Sequence, residues 1–314
     1  MKILITTGLG KNDIGGPFQY AHNLEREFLA RGHQVRVNKF GSIERSILGI
    51  WSGVIWADKI LALDTFSVGF PSVLAAKIFR KEVIIRVGGD FVWSKYVNRV
   101  GDPMSLPDFY ENLPKLNLKE KITLLLIKWM IREVDFLAFN TEWQRKIWSK
   151  YYKISENRSG VVRNFIPEKK EVSTTTSKNF IWAGRIIAEK NIPMLKKFGV
   201  DIVTGVSHKN VLDKIRSSYV AVSLAHTDVC PNFIIEAVSL GKPFIITRET
   251  GLSELFPKGG IYVDPLSEEE IRNAFETMRD ENTYNKFVSE LRDHKMGHSW
   301  GELAGDFLKI WEKI

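Results

Sequence analysis

The chain has 314 residues, of which 44% are hydrophobic and 26% charged, and its formal net charge is +8 at pH 7. This length accommodates two α/β domains, and the composition is that of an ordinary globular protein. The one cysteine, Cys230, excludes an intramolecular disulfide framework and suits a reducing cytoplasm. No apolar stretch reaches the roughly 20 residues that a membrane-spanning helix needs.

The excess positive charge lies in the first half of the chain. Met1–Phe165 holds 25 Lys and Arg against 16 Asp and Glu, whereas the remainder holds 20 against 21. Anionic lipid head groups, a phosphate-bearing acceptor or nucleic acid would each explain this excess, and so would a solvated basic surface without a partner. Nucleic acid fits worst, because no repeat of basic and aromatic residues occurs.

Short apolar strands alternate with helical patterns through the first half, which predicts a mostly parallel sheet covered by helices on both faces. A helical pattern runs from about Phe18 to Arg31. The predicted strands are Lys2–Thr6, Gln34–Val37, Ile60–Leu63, Val83–Val87 and Phe136–Asn140.

The same alternation resumes after a polar segment at 168–178, which contains Ser173–Ser177 and reads as a linker. Helical patterns lie at Asn210–Ser217, Asn232–Leu240 and over the last 45 or so residues. The predicted strands are Phe180–Ala183, Ile202–Thr204, Val220–Leu224, Phe244–Thr247 and Ile261–Val263.

A glycine-rich turn follows the first predicted strand, with Gly8, Gly10, Gly15 and Gly16 before a helix. Glycine there lets backbone amides approach a phosphate or a sugar at a helix N-terminus. The spacing is not that of a dinucleotide site, because Asp13 stands where the third glycine belongs and no acidic residue ends the second strand. Taken alone, the pattern is also that of a tight βα turn.

A second motif follows the strand Phe180–Ala183, where Gly184 and Arg185 are succeeded by Glu189 and Lys190. Ligands of parallel sheets bind at the carboxyl ends of strands, so Arg185 and Lys190 form a plausible clamp for a diphosphate. The alternative is two solvated surface cations.

A third motif follows the strand Val220–Leu224 and opens a helix. Asp228 and Glu236 flank the run Val229-Cys230-Pro231-Asn232-Phe233, and Gly241-Lys242-Pro243 follows. Backbone amides from Cys230 to Phe233 would point at a ligand bound at the helix N-terminus. Glu236 shares a helix face with Asn232, so an unpaired buried role is unfavourable for it.

Together these motifs resemble the retaining GT-B glycosyltransferases of the GT4-like family (group 1), along nearly the whole chain. The family's E-x7-E element corresponds to Asp228 and Glu236, followed by a similar E-A-x-x-x-G-K-P run. Its G-R…E-K element corresponds to Gly184-Arg185 and Glu189-Lys190. Further similarity lies at Gly15-Gly16, Arg31–Val35, Asn140-Thr141-Glu142 and Val162–Pro167.

The resemblance implies two doubly wound, Rossmann-like parallel-sheet domains that face each other across a cleft. It places the acceptor domain at 1–167, the linker at 168–178 and the donor domain at 179–292, with a C-terminal helix at 293–314 that packs back on the first domain. It implies a metal-independent hexosyltransferase without a cofactor. The donor would be a nucleoside-diphosphate sugar, and the acceptor a glycan or a lipid-linked intermediate.

The resemblance also implies roles for individual residues. Arg185 and Lys190 would neutralise the diphosphate leaving group, Glu236 would hold ribose hydroxyls and Asp228 would face the transferred sugar. Further donor contacts would come from Cys230, Asn232 and Phe233, and Gly15 and Gly16 would let a loop of the first domain close over the diphosphate.

Two departures from the family pattern leave a binding-only module that has lost turnover open as an alternative. Asp228 stands where the family has glutamate, and only two strands are predicted between Lys190 and Asp228. A nucleotide-sugar epimerase on the same two-domain plan is a further alternative, although the carboxylate and histidine set that it needs is not identified in the sequence. Asp90 follows Gly88-Gly89 and resembles the family's acceptor-side polar residue, although a helix N-cap is the alternative.

The segment Glu120–Glu133 combines Lys121, Lys128 and Arg132 with a run of large apolar residues that includes Leu124, Leu125, Leu126, Ile127, Trp129 and Ile131. Such a helix is either a core helix of the first domain or a surface helix that contacts an anionic membrane. Together with the basic first half, it makes peripheral association with the inner face of a membrane one expectation.

Overall fold

The computed structural model describes residues 1–8, 16–39, 43–101, 103–170 and 177–314. The strands are β1 Lys2–Thr7, β2 Gln34–Lys39, β3 Lys59–Ala62, β4 Glu82–Val87, β5 Phe136–Phe139, β6 Ser159–Val161, β7 Phe180–Ala183, β8 Asp201–Val203, β9 Val220–Ser223, β10 Phe244–Thr247 and β11 Gly260–Val263. The helices are α1 Gly16–Ala30, α2 Ile43–Trp56, α3 Gly69–Phe79, α4 Phe91–Val100, α5 Leu106–Glu111, α6 Leu118–Glu133, α7 Glu142–Tyr152, α8 Ile192–Lys197, α9 His208–Ser217, α10 Asn232–Ser239, α11 Glu268–Arg279, α12 Glu281–Asp293 and α13 Trp300–Trp311.

These strands form two sheets, with the orders β2-β1-β3-β4-β5-β6 and β11-β10-β9-β7-β8. Neighbouring strands are parallel in both sheets. In each sheet the second strand in chain order pairs on one side of the first strand, and the third strand pairs on its other side. The strand order therefore reverses between β1 and β3, and again between β7 and β9, which are the points where ligands bind in open α/β sheets.

The central strands are buried along their length, as a parallel sheet covered on both faces requires. All four residues of β9 and all four of β10 are buried, and so are the last five residues of β1. This architecture confirms the predicted α/β class with parallel sheets.

Contacts divide the chain into two units that do not follow the predicted domain boundaries. The first unit comprises Met1–Trp93, Pro114–Phe165 and Ser299–Ile314, and the second comprises Ser94–Leu113 and Ile166–His298. The prediction assigned all of 1–167 to one domain. The segment Ser94–Leu113 belongs to the second unit because its polar groups bond to loops there: Leu106 N donates to Thr227 Oγ1 at 2.9 Å.

The predicted linker is described only in part, because 171–176 lie outside the described residues. Lys170 N donates to the carbonyl of Ser239 at 2.8 Å, so this end of the linker is attached to the second unit. The last helix, α13, packs in the first unit. Its Leu303, Phe307 and Trp311 are buried in one hydrophobic cluster with Phe28.

Candidate functional site

Two loops meet at the switch point of the second sheet. The β7 loop, residues 184–191, leaves the carboxyl end of β7, and the β9 loop, residues 224–231, leaves the carboxyl end of its neighbour β9. His226 N donates to the carbonyl of Glu189 at 3.0 Å, which joins the two loops. The second and third sequence motifs therefore lie side by side.

The β7 loop begins with a glycine because the chain turns against a core tryptophan. A Cβ atom on Gly184 would lie 2.8 Å from Cζ2 of Trp182, which is buried in the core of the second unit. Beyond this turn, the side chain of Arg185 is exposed at the mouth of the sheet.

The second cation of the β7 loop is paired with the first carboxylate of the β9 loop. Lys190 Nζ lies 2.8 Å from Asp228 Oδ2, and the two side chains are only 23% and 15% exposed. Ser223 Oγ donates to the same carboxylate oxygen at 3.4 Å. An ammonium has three donors, so Lys190 can bind an anion while it keeps this contact.

A further carboxylate, Glu189, lies between the two cations in the sequence. Burial raises the pKa of Glu189, while Lys190 and a 3.4 Å hydrogen bond from Ser94 Oγ oppose that shift. No separate role for Glu189 was predicted from the sequence.

Helix α10 starts at Asn232 and carries Glu236 one turn later, so both lie on one face as predicted. Glu236 Oε1 lies 2.8 Å from Nε2 of His208, whose side chain is 64% exposed. His208 is the first residue of α9, in the segment that follows β8. His208 was not predicted from the sequence, although its place directly after the N-cap Ser207, in the loop and helix that follow a strand, could have indicated it.

No side chain caps the N-terminus of α10, where Pro231 is the N-cap residue. Asn232 is exposed, while Cys230 and Phe233 are half-buried. The first amides of a helix have no partner within the helix, and the helix dipole favours an anion there. This end of α10 is therefore suited to bind a phosphate or a sugar oxygen.

Two further predicted site residues, Asp90 and Gly16, belong to the first unit. Asp90 is buried, and its Oδ1 accepts a hydrogen bond from Trp93 N at 2.8 Å, so Asp90 is the N-cap of α4. Gly16 is the first residue of α1, and Gly15 lies outside the described residues. A Cβ atom on Gly8 would lie 2.9 Å from Asp64 Oδ2, so the chain is tightly packed where β1 ends.

In the described parts of the chain, no group of three or more His, Cys, Asp and Glu side chains is arranged to hold a metal ion. Of the helices within the same residues, none combines the length and the apolar character needed to cross a membrane.

Solved structures share this fold over nearly the whole chain, each at low sequence identity. Sucrose-phosphate synthase from Thermosynechococcus elongatus has a TM-score of 0.73 and 12% identity, with 99% of this chain and 98% of that chain covered. HepE from Anabaena, in complex with UDP-glucose, has a TM-score of 0.71 and 12% identity, with 100% of both chains covered.

A protein from Listeria monocytogenes, assigned as a UDP-N-acetylglucosamine 2-epimerase, has a TM-score of 0.54 and 11% identity, with 98% of this chain and 94% of that chain covered. No protein-family model and no curated sequence relative matches the chain. These likenesses and the two parallel sheets identify the fold as GT-B.

Proposed function

We propose that the protein is a glycosyltransferase of the GT4 type, which transfers a sugar from a nucleoside-diphosphate sugar to an acceptor hydroxyl with retention of configuration. The observation that carries this proposal is that two loops meet at the switch point of the second sheet, where Lys190 of the β7 loop pairs with Asp228 of the β9 loop. The β7 loop also carries Arg185, and the β9 loop leads into the uncapped end of α10. UDP-glucose bound to HepE, which has the same fold, supports a nucleotide-sugar donor.

The two cations would act on the leaving group. Negative charge develops on the diphosphate as the bond between the anomeric carbon and the phosphate oxygen breaks, and fixed positive charges stabilise that state. Arg185 offers a planar fork of donors and Lys190 offers the donors that Asp228 does not use. We propose that these side chains serve in place of a metal ion.

The carboxylates would orient the donor. Glu236 can accept hydrogen bonds from two ribose hydroxyls, and its contact with His208 orients the carboxylate one turn into α10. Asp228, held by Lys190, would face the hydroxyls of the transferred hexose. The amides near Cys230, Asn232 and Phe233 would bind phosphate or sugar oxygens.

The acceptor side is proposed to lie at the carboxyl edge of the first sheet, where Asp90 follows β4. Because Asp90 Oδ1 caps α4, the backbone fixes the carboxylate in position, as an acceptor-orienting group requires. A glycan or a lipid-linked intermediate is the class of acceptor that we propose.

The test is a panel of UDP-, GDP-, ADP- and dTDP-sugars, with thermal shift and nucleotide release measured together. We expect one donor to stabilise the protein and to be slowly hydrolysed. Arg185→Ala should lower turnover about 100-fold, as loss of one transition-state donor does. Lys209→Ala, an exposed cation on α9, is the matched control and should leave turnover unchanged. A folded protein that binds no donor would contradict the proposal.

A nucleotide-sugar epimerase is the second candidate, because the Listeria protein shares the fold. An epimerase would change the configuration of the donor's sugar without any acceptor, which chromatography of the incubated donor detects. A binding-only module, which the replacement of glutamate by Asp228 keeps open, would show a thermal shift without nucleotide release.

A further inference from the structure

Helix α6 carries apolar residues on two sides. Leu124, Ile127, Met130 and Ile131 are buried, so the helix packs into the first unit as a core helix does. The other apolar residues do not belong to that face. The two alternatives for this segment, a core helix or a surface helix, therefore need not exclude each other.

The outward side of α6 bears a row of large aliphatic residues. Leu118 is 74% exposed, Ile122 is 48% exposed and Leu125 is 65% exposed. At about 100° per residue, these three and Trp129 fall within a sector of about 60°. Trp129 is half-buried and makes an edge-to-face contact with Phe70, so the exposed part of the row is its three aliphatic residues. Contiguous exposed apolar surface of this kind marks a site of interaction, whereas single exposed residues do not. We call Leu118, Ile122, Leu125 and Trp129 the apolar row.

Positive charge borders the apolar row. By the same helical geometry, Lys121, Lys128 and Arg132 lie along one side of the row and Lys119 lies along the other. Of the two acidic residues of α6, Glu120 is buried in the capping box with Asn117. Glu133 accepts a hydrogen bond from Arg132 at 3.1 Å and offsets the charge of that side chain, so the bordering charge rests on Lys119, Lys121 and Lys128.

A cavity of about 550 Å³ adjoins the C-terminal end of the apolar row. Its wall includes Leu125 and Trp129 of the row, together with Tyr151, Tyr152 and Lys153 at the end of α7. Tryptophan and tyrosine are the side chains enriched where apolar and polar phases of a membrane meet. Arg158 also lines the cavity and donates to the carbonyls of Ile131 and Arg132, at 3.1 and 2.7 Å, which offsets the negative end of α6.

We propose that the apolar row is a membrane-binding surface, with an anionic lipid leaflet as its partner. The aliphatic side chains would enter the boundary between head groups and acyl chains, while the lysines on both sides would meet lipid phosphates. A plane of negative charge matches positive side chains along both sides of an apolar strip. This inference goes beyond the proposed function and does not depend on it.

The test measures the partition of the full chain onto vesicles by flotation. Vesicles of phosphatidylcholine alone are compared with vesicles that also contain phosphatidylglycerol, at low and at high salt. We expect binding to the anionic vesicles only, and weaker binding at high salt because ions screen the lysines.

Two sets of variants test the two parts of the surface. Leu118→Ser combined with Ile122→Ser and Leu125→Ser should lower the partition coefficient at least about tenfold. Lys121→Gln combined with Lys128→Gln should lower it about 25-fold, at about fivefold per lysine. The matched control is Leu29→Ser combined with Ile78→Ser, which replaces residues of the first unit that are 51% and 54% exposed. It should bind as the parent protein does.

Equal binding to neutral vesicles, no binding to either vesicle, or full binding by the apolar-row variant would overturn the proposal. Circular dichroism and the melting temperature verify that each variant folds, and the lysine variant leaves the core residues of α6 in place. Donor-induced thermal shift should be the same for all these variants, so failure of this proposal is distinguishable from failure of the proposed function.

Discussion

The carboxyl group of Glu189 in the β7 loop has a pKa that changes on folding. Burial raises its pKa above the ordinary value of 4.5, and Lys190 and Arg185 offset only part of that shift. The folded protein therefore holds this proton to a higher pH than the unfolded chain does. Stability falls as the pH rises from 4.5 through the raised pKa, because the folded state loses its excess of bound protons.

Glu189→Gln removes this titration, so we expect the variant to gain stability relative to the parent as the pH increases. Urea unfolding of both proteins across the acidic to neutral range measures the difference in free energy of unfolding. Glu276→Gln, an exposed position on α11, controls for the change of carboxylate to amide. A gain that shrinks toward neutral pH would contradict the assignment of burial as the main cause.

Sequence reasoning predicted the types of residue in the site but not their partners. Lys190 pairs with Asp228 and His208 pairs with Glu236, across 38 and 28 positions of the chain. Such pairs depend on which strands become neighbours in the sheet, and periodicity does not contain that information. The N-cap role of Asp90 depends only on a residue three positions later, and it was accordingly anticipated as an alternative.

Elements with long apolar runs were predicted well from the sequence. β7 and β10 have the predicted bounds, and α10 ends one residue before the predicted end. β6 was not predicted, because Ser159–Val161 contains a single large apolar residue and pairs only with β5 at the edge of the sheet. The apolar sequence pattern of a strand is weakest at the edge of a sheet, where the strand pairs with only one neighbour.

Replacing each of two glycines by alanine should change the stability of the protein in opposite directions, because the surroundings of the two glycines differ. Gly184→Ala places a Cβ atom 2.8 Å from the ring of Trp182, so the end of β7 must shift. We expect the free energy of unfolding to fall by about 1–3 kcal/mol, as it does at overpacked sites. Gly305→Ala lies inside α13, and apart from the chain neighbours and the backbone of the helix itself no atom lies within 4 Å of the added Cβ. The free energy of unfolding of this variant should rise by up to about 1 kcal/mol, because alanine has a higher helix propensity than glycine.

Thermal and urea unfolding of the two variants, each compared with the parent, measures both changes. A stabilised Gly184→Ala protein would show that the turn after β7 can relax away from the tryptophan. A destabilised Gly305→Ala protein would show that the outer side of α13 at Gly305 has no room for a methyl group.

The path of the whole chain explains why the predicted domain boundaries were incomplete. The chain leaves the first unit twice, at Ser94–Leu113 and at Ile166–His298, and returns to it each time. Composition marked the second departure through its polar linker. Nothing in the composition marks the first, because α5 has the same mixture of apolar and polar residues as helices of the first unit. The place of the segment Ser94–Leu113 depends on long-range bonds such as that from Ala188 N to Asn98 Oδ1.

The return of the chain in α13 gives a prediction at the scale of the molecule. Phe307 is fully buried in the cluster that contains Phe28 and Leu24. Phe307→Ala should therefore lower the free energy of unfolding by about 3–5 kcal/mol, and the first unit should be the part that it destabilises. Phe275→Ala removes an equivalent ring from the core of the second unit and is the matched control.

Hydrogen exchange followed by mass spectrometry measures where each variant opens. We expect Phe307→Ala to increase exchange in β1, β3 and α1, while the strands β9 and β10 keep the exchange rates of the parent. Phe275→Ala should give the reverse pattern, because the two aromatic rings belong to separate hydrophobic clusters. If Phe307→Ala increased exchange equally in β9 and β10, the two units would unfold as one cooperative body, and the division of the chain into two cores would be wrong in energetic terms.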